Sequence, residues 1–208
     1  MRSLLAALFF AGPLLADSKP TLGQLTLKPP DTAAKPAREL LGETAVRVTV
    51  GDQRLTIWLR ADWPVQPKTD ATGYASLRPG ALVGVVTFAK PWTDFRGQEL
   101  AAGTYTLRYA RQPASKDHED TSPSSDFLML CPAADDRDPA DLPFPALKKL
   151  SGKASGGTHP AVMVLLPPGK EAGLSRPKES WLAAQWIWKT AKGEMTVNVV
   201  ADGVWTGK

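Results

Sequence analysis

The chain has 208 residues, of which 25 are Lys or Arg and 21 are Asp or Glu, so its formal net charge is +4. The two signs are interspersed, without the concentrated basic run that nucleic-acid binders carry, and we expect no nucleic-acid partner. A single cysteine excludes an intramolecular disulfide, so the fold must rest on packing.

The first 16 residues have the layout of a secretory signal peptide. Arg2 supplies a positive start, residues 4–10 form an apolar run, and Ala16 precedes the polar Asp17. The run is interrupted at Gly12, whereas a transmembrane helix needs about 20 apolar residues. No later segment is long and apolar enough to span a bilayer. The sequence therefore predicts an exported protein, periplasmic or extracellular, without a membrane span.

Residues 17–43 form a Pro-rich segment between this signal and the domain predicted at residues 44–208. The pair Pro29-Pro30 cannot lie inside a helix or a central strand. Within the segment, residues 21–28 alternate weakly and fit an edge strand. The remainder is predicted to connect the signal peptide to the domain.

The clearest pattern is strict alternation of apolar and polar residues over residues 44–60, on both sides of Gly51 and Asp52. It predicts two half-buried strands joined by a two-residue type II′ turn. The paired residues are then Val50 with Gln53, Val48 with Leu55, and Val46 with Ile57. A shift by one residue would bury polar side chains, so the register is well specified.

Further short strands follow, separated by loops rich in Gly, Pro and polar residues. They are predicted at residues 82–88, 104–110, 126–131 and 161–166. The one predicted helix, of one or two turns, covers residues 145–150, and a flexible link follows it at residues 151–157. Cys131 ends a continuously apolar strand, so we expect it to lie in the core.

The C-terminal region contains an ambiguous segment at residues 181–188, which fits either a helix face or a strand face. A strand is favoured, because residues 196–200 would otherwise lack a local partner, and Trp186 and Trp188 then share one face. Asp202 and Gly203 signal another hairpin turn, which leaves a short strand at residues 204–206.

Together these segments predict an all-β fold, namely an antiparallel β-sandwich of eight to ten short strands with long loops and little helix. The seven tryptophans and three tyrosines of the chain would fill the space between two sheets.

The stretch Ala102-Gly103-Thr104-Tyr105-Thr106-Leu107, entered after Glu99-Leu100, resembles the strand entry of transthyretin-like and carboxypeptidase-regulatory-like domains, which are exported bacterial β-sandwich modules. Residues 126–130 extend the likeness to uncharacterised secreted bacterial proteins. The resemblance covers a small part of the chain. It implies the fold class and the exported location, and no functional residue is carried over.

Three tryptophans are candidates for a ligand-binding face: Trp58, Trp63 and Trp92. Exposed aromatic rings stack on sugars, whereas most tryptophans in small domains pack in the core. In the predicted hairpin Trp58 lies on the face opposite Ile57, so it is exposed unless a second layer covers it. The expected ligand is unknown, either a carbohydrate or another protein.

Candidate metal ligands are His118, Asp120 and His159, because imidazole nitrogen and carboxylate oxygen bind zinc in hydrolytic sites. Neither histidine belongs to a dense ligand motif such as H-E-x-x-H, so a metal site requires the two to meet in space. The acidic loop at residues 133–141 lacks the spacing of a calcium-binding loop and is predicted to be solvated.

No G-x-S-x-G, Walker A or G-x-G-x-x-G motif is present, so the sequence supports neither a nucleophile elbow nor a nucleotide-binding loop, and we expect no cofactor. The sequence favours an exported, non-enzymatic binding or interaction module. The alternative is a metal-dependent hydrolase that uses His118 and His159.

Overall fold

A computed structural model describes residues 19–67, 70–112 and 122–206 of the chain. The strands in these ranges are β1 Thr21–Thr26, β2 Leu41–Val50, β3 Gln53–Arg60, β4 Leu82–Phe88, β5 Trp92–Thr93, β6 Glu99–Leu100, β7 Gly103–Arg111, β8 Asp126–Pro132, β9 Ala161–Leu165, β10 Gly173–Ser175, β11 Leu182–Thr190 and β12 Gly193–Asp202. The helices are α1 Lys35–Arg38 and α2 Phe144–Ser155, with one 3-10 turn at Gly73–Ser76. Among these described helices, none has the length and apolar character needed to cross a membrane.

Ten of the strands form one antiparallel sheet in the order β1-β2-β3-β4-β7-β8-β9-β12-β11-β10, and β5 pairs with β6 in a separate small hairpin. The large sheet curls until its edge strands, β1 and β10, approach each other, so it nearly closes on itself. The predicted antiparallel β class is confirmed. The predicted division into two facing sheets is corrected, because one continuous curled sheet encloses the core as a barrel does.

The β2–β3 hairpin has the predicted register, with Val48 opposite Leu55 and Val46 opposite Ile57. Gly51 at the turn has a φ of 58°, a conformation that glycine adopts without steric cost. Alternation of apolar residues was therefore sufficient to predict this pairing.

The inward-facing side chains of the curled sheet form one continuous apolar core. Its aromatic members are Trp63, Tyr74, Phe88, Trp92, Tyr105, Tyr109, Trp186 and Trp188. The rings of Phe88 and Trp92 stack with their centroids 4.6 Å apart. Large rings of this kind fill the interior that a curved sheet leaves between its walls.

The N-terminal segment covers part of the outer face of the sheet. Its strand β1 pairs along β2, as predicted for an edge strand. Beyond β1, Ala33 packs against Ala45, Trp58 and Val85, and the Trp58 Nε1–H donates to the Leu27 carbonyl at 2.8 Å. Trp58 is consequently only 4% exposed. The sequence predicts that Trp58 is exposed unless a second layer covers it. The N-terminal segment is that layer, so the expected exposure is corrected.

Helix α2 covers β8 and β9 on another part of the outer face. It extends beyond the predicted residues 145–150, through residues 151–155 of the segment predicted to be a flexible link. The buried Ser151 Oγ accounts for this order, because it lies 2.8 Å from the Leu130 carbonyl oxygen and 3.1 Å from that of Ala161. Gly156 ends the helix in the left-handed conformation, with a φ of 67°.

The ambiguous residues 181–188 form a strand, as favoured, and β11 pairs with β12 along its length. Among the described residues, however, the predicted strand at residues 204–206 is replaced by an irregular segment. The chain turns at Gly203, and the Trp205 N–H donates to the Phe95 carbonyl at 2.8 Å. This contact joins residues that are far apart in sequence and directs the chain away from the sheet. The local sequence pattern could not predict it.

A buried ion pair lies on the outer face of β7. The side chains of Arg108 and Asp136 are 0% and 3% exposed, and two guanidinium N–H groups donate to the carboxylate at 2.7 and 2.8 Å. Other guanidinium N–H groups donate to the carbonyls of Gly80, Asp138 and Ala140. These five residues form the Arg108 cluster. The prediction that the acidic loop is solvated is therefore corrected at Asp136, because Arg108 holds this carboxylate inside.

Candidate functional site

A groove lies where the two ends of the sheet face each other, with β1 and β2 on one side and β10 and β11 on the other. Its volume is about 860 Å³, which is in the usual range for ligand-binding sites. Side chains that line it include Leu22, Gln24, Val46, Trp186, Ile187 and Trp188. We name this feature the seam groove.

Two strand edges border the seam groove. Strand β10 has only three residues, and they pair with residues 183–185 of β11. Within the described chain, residues 186–190 of β11 therefore have a sheet partner only in β12, and β1 has one only in β2. The open edge of a strand presents backbone N–H and C=O groups that can pair with another extended chain. The seam groove thus combines an apolar lining with hydrogen-bonding groups on both sides.

The two tryptophans of β11 that line the seam groove differ in their polar contacts. The Trp188 Nε1–H donates to the Arg60 carbonyl at 3.0 Å, and its ring passes close to Gly42, where an added Cβ would lie 3.6 Å from Trp188 Cζ2. Trp186 is 3% exposed, and among the described residues its Nε1–H meets no acceptor. An unsatisfied buried donor costs about 1–3 kcal/mol, so Trp186 contributes less to the stability of the fold than a fully bonded tryptophan would.

Polar contacts hold the surroundings of the seam groove in place. The Gln185 carboxamide accepts from the Gly169 N–H at 2.6 Å and donates to the Glu171 carbonyl at 2.7 Å, which fixes the segment leading into β10. Arg60, whose carbonyl accepts from Trp188, donates from its guanidinium to Asp62 at 3.0 Å. This hydrogen bond lowers the pKa of the Asp62 carboxyl below its ordinary value, so Asp62 is ionised at neutral pH.

The tryptophans predicted to bind a ligand do not line the seam groove. Trp58, Trp63 and Trp92 are 4%, 5% and 6% exposed. Trp58 lies outside the sheet under the N-terminal segment, whereas the other two lie in the core, and the Trp92 Nε1–H donates to the Ala201 carbonyl at 3.1 Å. Their burial leaves no broad ring face for stacking on a sugar. Ligand contact by these residues stays a prediction.

Of the three predicted metal ligands, one lies within the described residues. His118 and Asp120 fall in residues 113–121, outside the described ranges. His159 is exposed, and its Nδ1 lies 3.5 Å from Thr158 Oγ1. Across the part of the chain that the structure describes, no group of three or more His, Cys, Asp or Glu side chains is placed to hold a metal ion. The metal site stays a prediction.

Sequence reasoning misses the seam groove, although one signal for it is present. Alternation predicts that Trp186 and Trp188 share a face, and both belong to the interior core. Strand order is the missing step, because β1 and β11 are distant in sequence and no local pattern indicates that they border the same gap.

Comparisons of the chain with protein-family models, curated proteins and solved structures gave no match. The functional conclusion therefore rests on the geometry and chemistry of the seam groove.

Proposed function

We propose that this protein is an exported, non-enzymatic binding module whose seam groove takes an extended segment of a partner polypeptide. The observation that supports the proposal is the pair of strand edges, on β1 and β11, that border one apolar groove. An extended segment between them pairs its backbone with both edges and completes the ring of strands. Strand addition of this kind is a recurring mode of peptide recognition, in which backbone hydrogen bonds give affinity and side-chain pockets give specificity.

The lining of the seam groove selects the side chains of the partner. Successive side chains of an extended segment point to opposite sides, so every second residue faces Val46, Trp186 and Trp188. Apolar side chains at those positions gain about 25 cal/mol for each Å² of apolar surface removed from water. The residues between them point to the opposite side, toward solvent. The partner segment therefore alternates apolar and polar residues.

Export is the part of this proposal that rests on residues 1–16. N-terminal sequencing of the protein recovered from the periplasm or the medium tests it. A mature chain that starts near Asp17 is the expected result. A cytoplasmic protein that keeps Met1 and the apolar run would contradict export without touching the binding proposal.

Short random peptides displayed on phage and selected on the purified protein test the binding proposal. We expect selected sequences with apolar residues at every second position, which bind as free peptides with a Kd of about 1–100 μM by calorimetry. Proline at a central peptide position should abolish binding, because it removes a backbone donor. Polar substitutions should weaken binding only at the alternating apolar positions.

Two neighbouring residues of β1 provide a matched pair of groove variants. Gln24 lines the seam groove, whereas Leu25 is 36% exposed and, as its neighbour in the strand, points to the opposite face. Gln24→Trp should fill the groove and weaken the selected peptides at least about tenfold, and Leu25→Trp should leave their affinity unchanged. Equal effects of the two substitutions, or a selection that enriches no peptide, would overturn the proposal.

A further inference from the structure

A second pocket lies apart from the seam groove, on the outer face of β2, β3 and β4. Its volume is about 350 Å³, and its lining includes Thr56, Trp58 and three basic residues, namely Lys28, Arg47 and Arg54. The register explains this grouping: Arg47 lies directly opposite Thr56, and Arg54 precedes Thr56 by two residues, so all three side chains share one face. We name this feature the basic pocket.

The three basic side chains gather without an acidic counterpart. Within the described residues, the ion pairs involve other cations, and none includes Lys28, Arg47 or Arg54. Lys90, which follows β4, differs in that it pairs with Asp52. Three like charges around one concavity produce a positive potential that attracts anions.

Arg47 is held in a defined position in the basic pocket. The residue is half-buried, and its Nε–H donates to Thr56 Oγ1 at 3.1 Å. This bond leaves the two terminal amino groups of the guanidinium as donors, and the planar guanidinium geometry suits two parallel bonds to an oxyanion. The backbone beside Lys28 is fixed, because the Leu27 carbonyl accepts the Trp58 Nε1–H at 2.8 Å, whereas the Lys28 side chain is exposed. Arg47 therefore needs little ordering when a ligand arrives.

We propose that the basic pocket binds a small organic anion through its oxyanion group. Arg47, Arg54 and Lys28 bind the negatively charged oxygens. Leu27, Pro30 and Ala89 supply apolar surface for the organic body of the ligand. The volume lies at the lower end of the range for small-molecule sites, which suits one monosaccharide-sized unit rather than a polymer.

Calorimetry with four probes tests this proposal: glucose 6-phosphate, glucuronate, inorganic phosphate and neutral glucose. We expect one or both organic anions to bind with a Kd of about 1 mM or tighter, inorganic phosphate to bind more weakly, and glucose not to bind. Either ranking of the two organic anions supports the proposal and identifies the headgroup. If inorganic phosphate bound as tightly as the organic anions, the proposal that the pocket recognises the organic body of its ligand would be overturned.

Charge-neutralising variants separate a built site from a general attraction of anions. Arg47→Gln and Arg54→Gln should each weaken binding at least about tenfold, because each removes charge-assisted hydrogen bonds. Arg96→Gln removes the same charge from an exposed position outside the pocket and should leave affinity unchanged. Because Arg54 is exposed, its substitution leaves the fold intact and keeps the test valid. Equal weakening by all three variants, or no binding of either organic anion at about 10 mM, would overturn the proposal.

Discussion

The Arg108 cluster and the seam groove both contain polar groups, but these groups are hydrogen-bonded in the cluster, whereas some of those in the groove are unpaired within the described chain. In the cluster, Arg108 meets the Asp136 carboxylate and three backbone carbonyls, so the buried charge is paired and hydrogen-bonded. In the seam groove, the Trp186 Nε1–H and two strand edges lack partners among the described residues. The cluster attaches a loop to the sheet, whereas the groove leaves bonding capacity for a ligand.

This difference separates a structural element from a binding site. A buried polar network that is fully satisfied has nothing to gain from a ligand, because every donor already has its acceptor. Open backbone edges beside an apolar groove gain free energy when a partner supplies the missing hydrogen bonds. Substitutions in the two regions should therefore have different consequences for stability and for binding.

The largest expected effect follows from breaking the buried ion pair with Arg108→Met. This change leaves the Asp136 carboxylate buried without a counter-charge, so we expect the free energy of unfolding to fall by about 3–5 kcal/mol in urea titrations. Arg78→Met is the control, because both side chains of the Arg78–Asp141 pair are 37% exposed, and its loss should be about 1 kcal/mol or less. Similar losses for the two variants would show that the buried Arg108–Asp136 pair stabilises the fold no more than a partly exposed ion pair does.

A smaller effect distinguishes the two tryptophans of the seam groove. Trp188→Phe removes the donor to the Arg60 carbonyl and should lower the free energy of unfolding by about 1–2 kcal/mol. Trp186→Phe removes a buried donor that has no acceptor among the described residues, so it should cost less than Trp188→Phe. A larger stability loss for Trp186→Phe would contradict the assignment of an unpartnered donor.

The thiol of Cys131, which is buried near the Arg108 cluster, makes the stability of the fold depend on pH. Burial raises the pKa of its thiol from the ordinary value of 9.0 to about 12. Between these two values the unfolded chain loses the proton while the folded chain keeps it. Stability therefore falls as pH rises above 9, by at most about 1.4 kcal/mol per pH unit from this group.

Urea titrations at pH 8 and pH 10 check this effect of the thiol. The Cys131→Ala variant should be slightly less stable than the natural chain at pH 8, because a buried group is lost, but should lose less stability between the two pH values. Lysines and tyrosines are common to both proteins, so their contributions cancel. An identical alkaline loss in the two proteins would show that the thiol is not protected by the fold.

Local alternation predicts those parts of the molecule in which neighbours in sequence are neighbours in space. The β2–β3 register and the strand identity of β11 follow from it. The burial of Trp58 does not, because Leu27 and Ala33 cover it from a distant segment. Asp136 is likewise drawn inside by Arg108, far from it in sequence.

The seam groove shows the same limit at the level of the whole sheet. Each bordering strand has an ordinary pattern, and the groove arises because β10 is too short to cover residues 186–190 of β11. Whether a sheet closes depends on the lengths and order of all its strands, so the sequence predicts the wall residues Trp186 and Trp188 without predicting the gap beside them.

Backbone hydrogen exchange with and without a selected peptide tests the central claim most directly. If the peptide adds a strand between the two edges, amides in residues 21–26 and 186–190 should exchange at least about tenfold more slowly when it is bound. Amides of β3, which is paired on both sides in the free protein, should not change. Protection confined to other regions, with none at the two edges, would contradict the account.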